Sequence, residues 1–269
     1  MIQLETAVIR RHLPMGADYR LLEMDAPRIC QLVQPGQFIH LLIPQQAGLT
    51  LRRPFSVFRS EGGRLSVLYK LVGVGTEAMQ ALKEGEGVSL MGPLGNGFPS
   101  ATAGAFPVLV GGGYGVAPLY FLARNLKDKG HLFVGAATSA DLLCLDDFRE
   151  LGWTVTVATQ DGSVGVTGLV TVALDAWLAD KGTGRSLEFF ACGPNGMLKA
   201  VGDRAIGLGC KGWLSLDRHM GCGAGACLAC VQKVRKTGEE TWARVCKDGP
   251  IFEAQEVVWD EPEVRENKP

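Results

Sequence analysis

The sequence changes texture near residue 100, and that change constrains the fold more than any other feature. Up to about residue 98 the apolar segments are short: IQLETAVIRR, DYRLLEM, QFIHLLIP, FSVFR, RLSVLYKLV and GVSLMG, with PG, EGG, GEG and PLGNG between them as turns. Strands of this length and spacing predict a closed antiparallel barrel. From about 104, strand-like and helix-like segments alternate. FPVLVGG reads as a buried strand, VAPLYFLARNLKDKG as a helix ending on a glycine, HLFVGAA and TVTVAT as strands, GLVTVALDAWLADKG as a helix and SLEFFACG as a final strand. That alternation predicts a doubly wound parallel sheet. After about 211 the chain turns cysteine-rich and irregular, then extended through RVCKDGPIFEAQEVVW, and its last residues, DEPEVRENKP, are polar enough to fray. The fold class is therefore β plus α/β in three domains, 1–98, 99–210 and 211–269.

Charge and composition narrow the partners. With 27 Lys and Arg against 28 Asp and Glu, scattered along the chain, no basic stripe favours nucleic acid or an anionic membrane surface. The amino terminus alternates apolar and charged residues and lacks the basic start and apolar block of a signal peptide. The run Gly87 to Ala123 carries no charge, yet glycines and prolines interrupt it throughout, which suits a buried sheet and tight loops better than a membrane helix. A soluble, cytoplasmic protein is expected, and there eight cysteines point to thiolate chemistry over a disulfide framework.

Within MGCGAGACLACVQK, residues 220–233, Cys222, Cys227 and Cys230 are spaced C-x4-C-x2-C, and Cys246 follows. This is the plant-type 2Fe-2S spacing, in which four thiolates converge on two irons from a loop of small residues. Gly221, Gly223, Ala224, Gly225 and Ala226 let the backbone curl and aim its amides at sulfur. A structural zinc is the competing reading, though zinc sites usually offer two C-x2-C pairs and here there is one. His219 lies beside the loop, but a Rieske centre needs two histidines. His12, His40 and His131 fall in strand patterns and read as structural.

VLVGGGYGVAPLYFLA, residues 108–123, is a strand, a glycine-rich turn and a helix start, a place where backbone amides take a pyrophosphate. It is not the strict G-x-G-x-x-G, and tight packing explains such a turn about as often. ACGPNGM, residues 191–197, ends a later strand where ligands of such sheets bind, which adds Cys192 as a site residue. AATSADLLCLDD holds no Lys or Arg for a 2′-phosphate and has Asp141 in reach of a ribose hydroxyl, favouring NAD over NADP. A nicotinamide moves two electrons together and a 2Fe-2S cluster one at a time, so a flavin is the natural intermediary. LRRPFSVF, residues 51–58, offers Arg53 for a pyrophosphate, Phe55 for a ring face and Ser56 for the flavin edge, against the plain reading of a barrel strand. YKLVGVGTEAM, residues 69–79, adds a glycine turn opening a helix through Thr76.

Taken in order, R-P-F-S, G-x-G-T at Gly73 to Thr76, G-P-L-G-N-G-F at 92–98, G-G-G-Y-G-V-A-P, D-G-S-V-G at 161–165, C-G-P and the terminal cysteines with V-C-K-D-G-P at 245–250 resemble the electron-transfer subunit of class 1B dihydroorotate dehydrogenase, in the ferredoxin-NADP reductase superfamily. The resemblance covers essentially the whole chain. It implies an FAD-binding barrel over 1–98, with Arg53, Pro54, Phe55 and Ser56 along the cofactor, the backbone of Leu68, Tyr69 and Lys70 against it, and Gly75 and Thr76 at the phosphates. It implies an NAD-binding domain over 99–210, with NAD(H) at Gly111, Gly112, Gly113, Gly115 and Val116 and near Cys192, Gly193 and Pro194. Over 211–269 it implies a 2Fe-2S domain ligated by Cys222, Cys227, Cys230 and Cys246. The implied partner is an FMN-containing dihydroorotate dehydrogenase catalytic subunit, in a heterotetramer of two of each chain. Electrons would pass from dihydroorotate through that partner to the cluster, FAD and NAD+ in pyrimidine biosynthesis, with no catalytic residue for dihydroorotate on this chain. A reductase for an oxygenase, a hydrogenase-like or a bifurcating complex is the alternative. The chain departs from the pattern at Tyr114, where a small aliphatic residue is usual, at Phe55, and in AATSAD, which lacks a basic residue.

Overall fold

The computed structural model describes residues 1–16, 18–44, 50–182 and 184–259; the polar tail DEPEVRENKP lies outside the described residues. The amino-terminal strands are β1 (Gln3–Pro14), β2 (Tyr19–Asp25), β3 (Phe38–Leu42), β4 (Arg53–Ser56), β5 (Arg59–Glu61), β6 (Arg64–Lys70) and β7 (Gly87–Leu94), with short helices α1 (Pro27–Cys30) and α2 (Val74–Ala78) between them. They form one antiparallel sheet in the order β4-β3-β7-β1-β2-β6-β5. Its two edges, β4 and β5, are successive pieces of one stretch, Arg53–Glu61. That stretch pairs first with β3 and then, after Val57 and Phe58, with β6. The sheet is thereby rolled shut by the chain itself. Alternation sends Ala7, Ile9, Leu22, Met24, Ile39, Leu41, Val67 and Leu90 into the interior.

The second sheet is built from β8 (Phe106–Gly112), β9 (His131–Ala136), β10 (Thr154–Thr159), β11 (Val166–Thr167), β12 (Leu187–Cys192) and β13 (Lys211–Ser215), all parallel, with helices α3 (Val116–Asn125), α4 (Leu145–Glu150), α5 (Val170–Trp177) and α6 (Asn195–Gly207). The order β11-β10-β9-β8-β12-β13 reverses direction between β8 and β12, so the crevice at their carboxyl ends is the topological switch point. Both faces are covered: Val108, Val110 and Phe133 pack on the side of α5 and α6, and Leu109, Leu132 and Val134 on the side of α3 and α4.

Three details differ from the sequence expectation. SLEFFACG is not the last parallel strand, because β13 follows it and pairs with β12. The short helix α4 is additional to the expected elements: it has no side-chain cap at Cys144, and Asp146 and Asp147 in its first turn with Arg149 in its last are its sequence signals. Helix α3 stops at Asn125, not at Gly130. Lys129 Nζ donates to the carbonyls of Ala123 (2.9 Å) and Leu126 (2.7 Å) there. Gly130 is needed for close approach, since a Cβ on it would collide with the Pro107 carbonyl.

The chain after Lys211 does not stand apart. Beyond β13 it runs through the cysteine loop to the hairpin β14 (Val231–Lys236) and β15 (Glu239–Arg244), the single turn α7 (Val245–Asp248), and β16 (Ile251–Glu253). The last strand returns antiparallel to β13 as the outer edge of the second sheet.

Candidate functional site

The loop between β13 and β14 brings its thiols together in pairs. The amides of Ala224 (3.4 Å), Ala226 (3.3 Å) and Cys227 (3.4 Å) donate to Cys222 Sγ, and the Cys222 amide donates to Cys227 Sγ (3.4 Å). Helix α7 supplies the second pair, where the Cys246 amide donates to Cys230 Sγ at 3.4 Å. Burial alone would push the Cys222 thiol up, but the hydrogen bonds from Cys227, Ala224 and Ala226 outweigh it and bring it down to about 6. Burial and the neighbouring Cys230 push Cys246 up to about 12. Cys227 is exposed, whereas Cys230 and Cys246 are buried, so one pair faces outward and the other inward. Two thiols for each of two irons is the donor set of a 2Fe-2S cluster, and amides aimed at sulfur are what such a cluster needs around it.

The hairpin clamps this loop. The Arg244 guanidinium donates from Nε (2.9 Å) and Nη2 (3.0 Å) to the two carboxylate oxygens of Asp248, and from Nη1 to the Gly225 carbonyl at 3.3 Å. Gly223 (φ +68°) and Gly225 (φ +84°) adopt the left-handed backbone that glycine allows. A Cβ on Gly225 would stand 2.6 Å from Lys247 Cδ, and one on Gly223 would stand 2.5 to 2.9 Å from the imidazole of His40.

Arg53 and Gly75 meet across the barrel end. A Cβ on Gly75 would lie 2.7 Å from Arg53 Nε, so the guanidinium passes directly over the opening of α2. The Thr76 hydroxyl accepts from the amides of Val72 (2.9 Å) and Gly73 (3.3 Å) and donates to the Gly73 carbonyl (3.0 Å), which holds the turn. An arginine over a tied turn offers donors of the kind a pyrophosphate takes. Leu68, Tyr69 and Lys70 pair with β2 on one side only. On the other side β5 ends opposite Ser66, which leaves that backbone edge without a strand among the described residues. Pro54 and Ser56 are half-buried beside them. Phe55 points into the barrel core, its ring 5.6 Å from that of Tyr69. Alternation along β4 explains this, because Phe55 pairs with the inward Ile39.

At the switch point the two glycine-containing turns touch. A Cβ on Gly115 would collide with the Cys192 carbonyl, and one on Gly112 would stand 2.7 Å from Pro194 Cδ. Gly111, Gly112, Gly113, Gly115 and Val116 are thus brought against Cys192, Gly193 and Pro194 at the crevice. Burial pushes the Cys192 thiol up to about 12, so it is a neutral wall of the site. Tyr114 stands 46 % exposed at the mouth.

Asp141 lies where the barrel meets the second sheet. Its Oδ1 accepts from Tyr19 Oη (2.7 Å) and Lys70 Nζ (3.2 Å), and its Oδ2 from Thr138 Oγ1 (3.4 Å). Both carboxylate oxygens are engaged within the protein, and the residue ties the barrel to the second sheet. The hydrogen bond from Tyr19, with Lys70 behind it, holds the carboxyl below its usual range.

His40 and Tyr19 are participants that strand patterning hides. His40 is fully buried, and neither ring nitrogen has a hydrogen-bond partner among the described residues. Burial, with Arg52 adding to it, brings the imidazole down to about 4. The only sign in the sequence is a polar residue inside the apolar run FIHLL.

Comparison with known proteins agrees with this geometry. Residues 217–258 match the family described as the iron-sulfur cluster binding domain of dihydroorotate dehydrogenase B, and residues 109–203 match the oxidoreductase NAD-binding domain. The chain is 42 % identical over 248 residues to the dihydroorotate dehydrogenase B (NAD(+)) electron transfer subunit of Bacillus caldolyticus, covering 88 % of this chain and 91 % of that one. It is 37 % identical to the subunit of the same name from a Geobacillus species, covering 96 % and 100 %. Among solved structures, the NADH-dependent reduced ferredoxin-NADP oxidoreductase studied for flavin-based electron bifurcation superposes with a TM-score of 0.83 at 30 % identity, covering 95 % of this chain and 90 % of that one.

Proposed function

The chain belongs to the family of dihydroorotate dehydrogenase B (NAD(+)) electron transfer subunits, and from that premise we propose that it carries electrons between NAD(H), FAD and a 2Fe-2S cluster on behalf of a separate catalytic subunit. When bound, NAD(H) would supply two-electron chemistry, the 2Fe-2S cluster one-electron chemistry, and FAD the link between the two. The chain's own residues bind and align. Cys222, Cys227, Cys230 and Cys246 hold the cluster, with backbone amides on the sulfurs. Arg53 and the Gly75–Thr76 turn hold the FAD pyrophosphate. Pro54, Ser56, the backbone of Phe55, whose ring is turned into the barrel core, and the free edge of Leu68, Tyr69 and Lys70 frame the flavin ring. The crevice from Gly111 to Val116 and from Cys192 to Pro194 takes NAD(H). The assignment gives FAD to 1–98, NAD(H) to 99–210 and the cluster to 211–269. The partner in this reading is the FMN-containing dihydroorotate dehydrogenase chain, two of each in the assembly, in pyrimidine biosynthesis. No helix among the described residues is long and apolar enough to cross a membrane. Eight unpaired thiols suit the reducing cytoplasm.

The observation that carries this reading is the two-by-two arrangement of thiols, with Cys227 exposed, Cys222 partly exposed, and Cys230 and Cys246 buried. Such a gradient would present one iron to a docking protein and keep the other inside. The test is co-expression with the cognate catalytic subunit and assay of dihydroorotate-dependent NADH formation. Activity that needs both chains is expected, while this chain alone reduces dyes from NADH and leaves dihydroorotate untouched. Turnover of dihydroorotate by this chain alone would refute the proposal. The 95 % coverage by the bifurcating oxidoreductase favours one second reading, a subunit of a bifurcating complex. That reading gains if both chains hold cofactors yet form no dihydroorotate-active complex.

A further inference from the structure

We infer that His40 donates a hydrogen bond from its ring N–H to a sulfur of the cluster held by Cys222, Cys227, Cys230 and Cys246, and so sets the potential of that cluster from the barrel side. This rests on the cluster reading above. His40 lies in β3, where Ile39 and Leu41 fill the barrel interior, so its side chain leaves on the outer face with Phe38. The register of β3 against β7 slips by one residue between Phe38 and His40, the kind of irregularity that re-aims a side chain. The ring ends fully buried. A buried imidazole with two unpartnered nitrogens is expensive, because each polar group left without a partner costs about 1–3 kcal/mol. Something beyond the groups of the described residues is therefore expected to meet it.

The position of the ring says what. It packs against the cluster loop at Gly223, where a Cβ would stand 2.5 Å from Cε1, 2.7 Å from Nδ1 and 2.9 Å from Nε2. Gly223 is the residue after Cys222, in the stretch whose amides converge on Cys222 Sγ. Thiolate and bridging sulfur accept hydrogen bonds and donate none, which matches an orphaned N–H. The cross-strand neighbour of His40 in β4 is Pro54, which is neither of the polar flavin-strand residues Arg53 and Ser56. The imidazole thus lies between the flavin strand and the cluster loop, with both unpartnered nitrogens among its atoms nearest Gly223. A hydrogen bond to sulfur stabilises the more negative, reduced cluster and raises its potential.

The decisive measurement is pulsed EPR of the reduced, full-length chain in which only histidine carries nitrogen-15. A weak nitrogen-15 coupling to the cluster is expected in the unaltered protein. It should vanish in His40→Leu and persist in His219→Ala, the other histidine near the loop. A redox titration of the same samples should show a lower cluster potential in His40→Leu, partly restored in His40→Gln, which keeps an N–H. The absence of coupling in the unaltered protein overturns the inference without any variant. So does a His40→Leu protein whose flavin bands change while cluster coupling and potential stay put. A chain that purifies with no iron or flavin instead removes the cluster reading itself, and this inference with it.

Discussion

A methyl group at Gly75 would occupy the space through which Arg53 Nε passes, 2.7 Å away. Gly75 does not need a left-handed backbone, so Gly75→Ala should keep the fold and displace only the guanidinium. Losing a charge-assisted hydrogen bond to phosphate is worth about 1.5–3 kcal/mol, so the FAD dissociation constant should rise by roughly ten-fold or more. Recovery of flavin fluorescence on dilution would measure it, and unchanged retention would remove Arg53 from the cofactor. Both residues were legible in the sequence as parts of separate motifs, R-P-F-S and G-x-G-T. Their contact was not, because nothing in spacing relates residue 53 to residue 75. Phe55 was legible only as an aromatic, and the pairing with Ile39 that turns it inward belongs to the sheet. His40 read as a core histidine because a buried polar side chain and a buried apolar one occupy the same strand positions.

Strand β9 carries a titration of its own. His131 Nε2 lies 2.8 Å from Thr156 Oγ1 and the ring stacks on Phe133, with centroids 4.2 Å apart. Burial, with Lys181 adding to it, brings its folded value down to about 4, against an ordinary value of about 6.5. The native ring stays neutral while the unfolded chain takes up a proton, so stability is complete above about pH 6.5 and declines as pH falls toward 4. The loss at the acid end should reach roughly 2–3 kcal/mol, and His131→Gln should flatten that part of the curve in urea titrations. A slope unchanged in the variant would assign the loss elsewhere. Elements with strong periodicity, such as β8, β12 and α5, were legible because apolar spacing is their cause. Strand β13, KGWLS, begins on an exposed lysine and a glycine and is fixed by its neighbours β12 and β16. The cysteine loop was legible from spacing alone, whereas the hairpin that clamps it through Arg244 was not, since its partner Gly225 lies 19 residues back in the chain.

In the proposed assignment the molecule as a whole depends on how barrel and second sheet are aligned, since nicotinamide and flavin would meet between them. Tyr19, Lys70 and Asp141 form one tie, and Arg124 Nη2 with Glu61 Oε2 at 2.8 Å forms another at the surface. Asp141→Asn should cost about 1–2 kcal/mol of stability and slow flavin reduction at saturating NADH, with NADH affinity little changed. Stopped-flow separates the two, because weakened affinity with an unchanged limiting rate would return Asp141 to the ribose. The three-part organisation was legible from texture, but the way the carboxyl-terminal segment folds back onto β13 depends on long-range pairing that texture does not encode. The stretch Arg53–Glu61 has a further consequence. Because it belongs to both margins of the first sheet, the barrel's closure is a matter of covalent connectivity. A circular permutant opened at Gly238, on the tip of the last hairpin, would inherit a shut cylinder. One opened between Val57 and Phe58 would expose two unprotected sheet margins, ready to pair with those of other molecules.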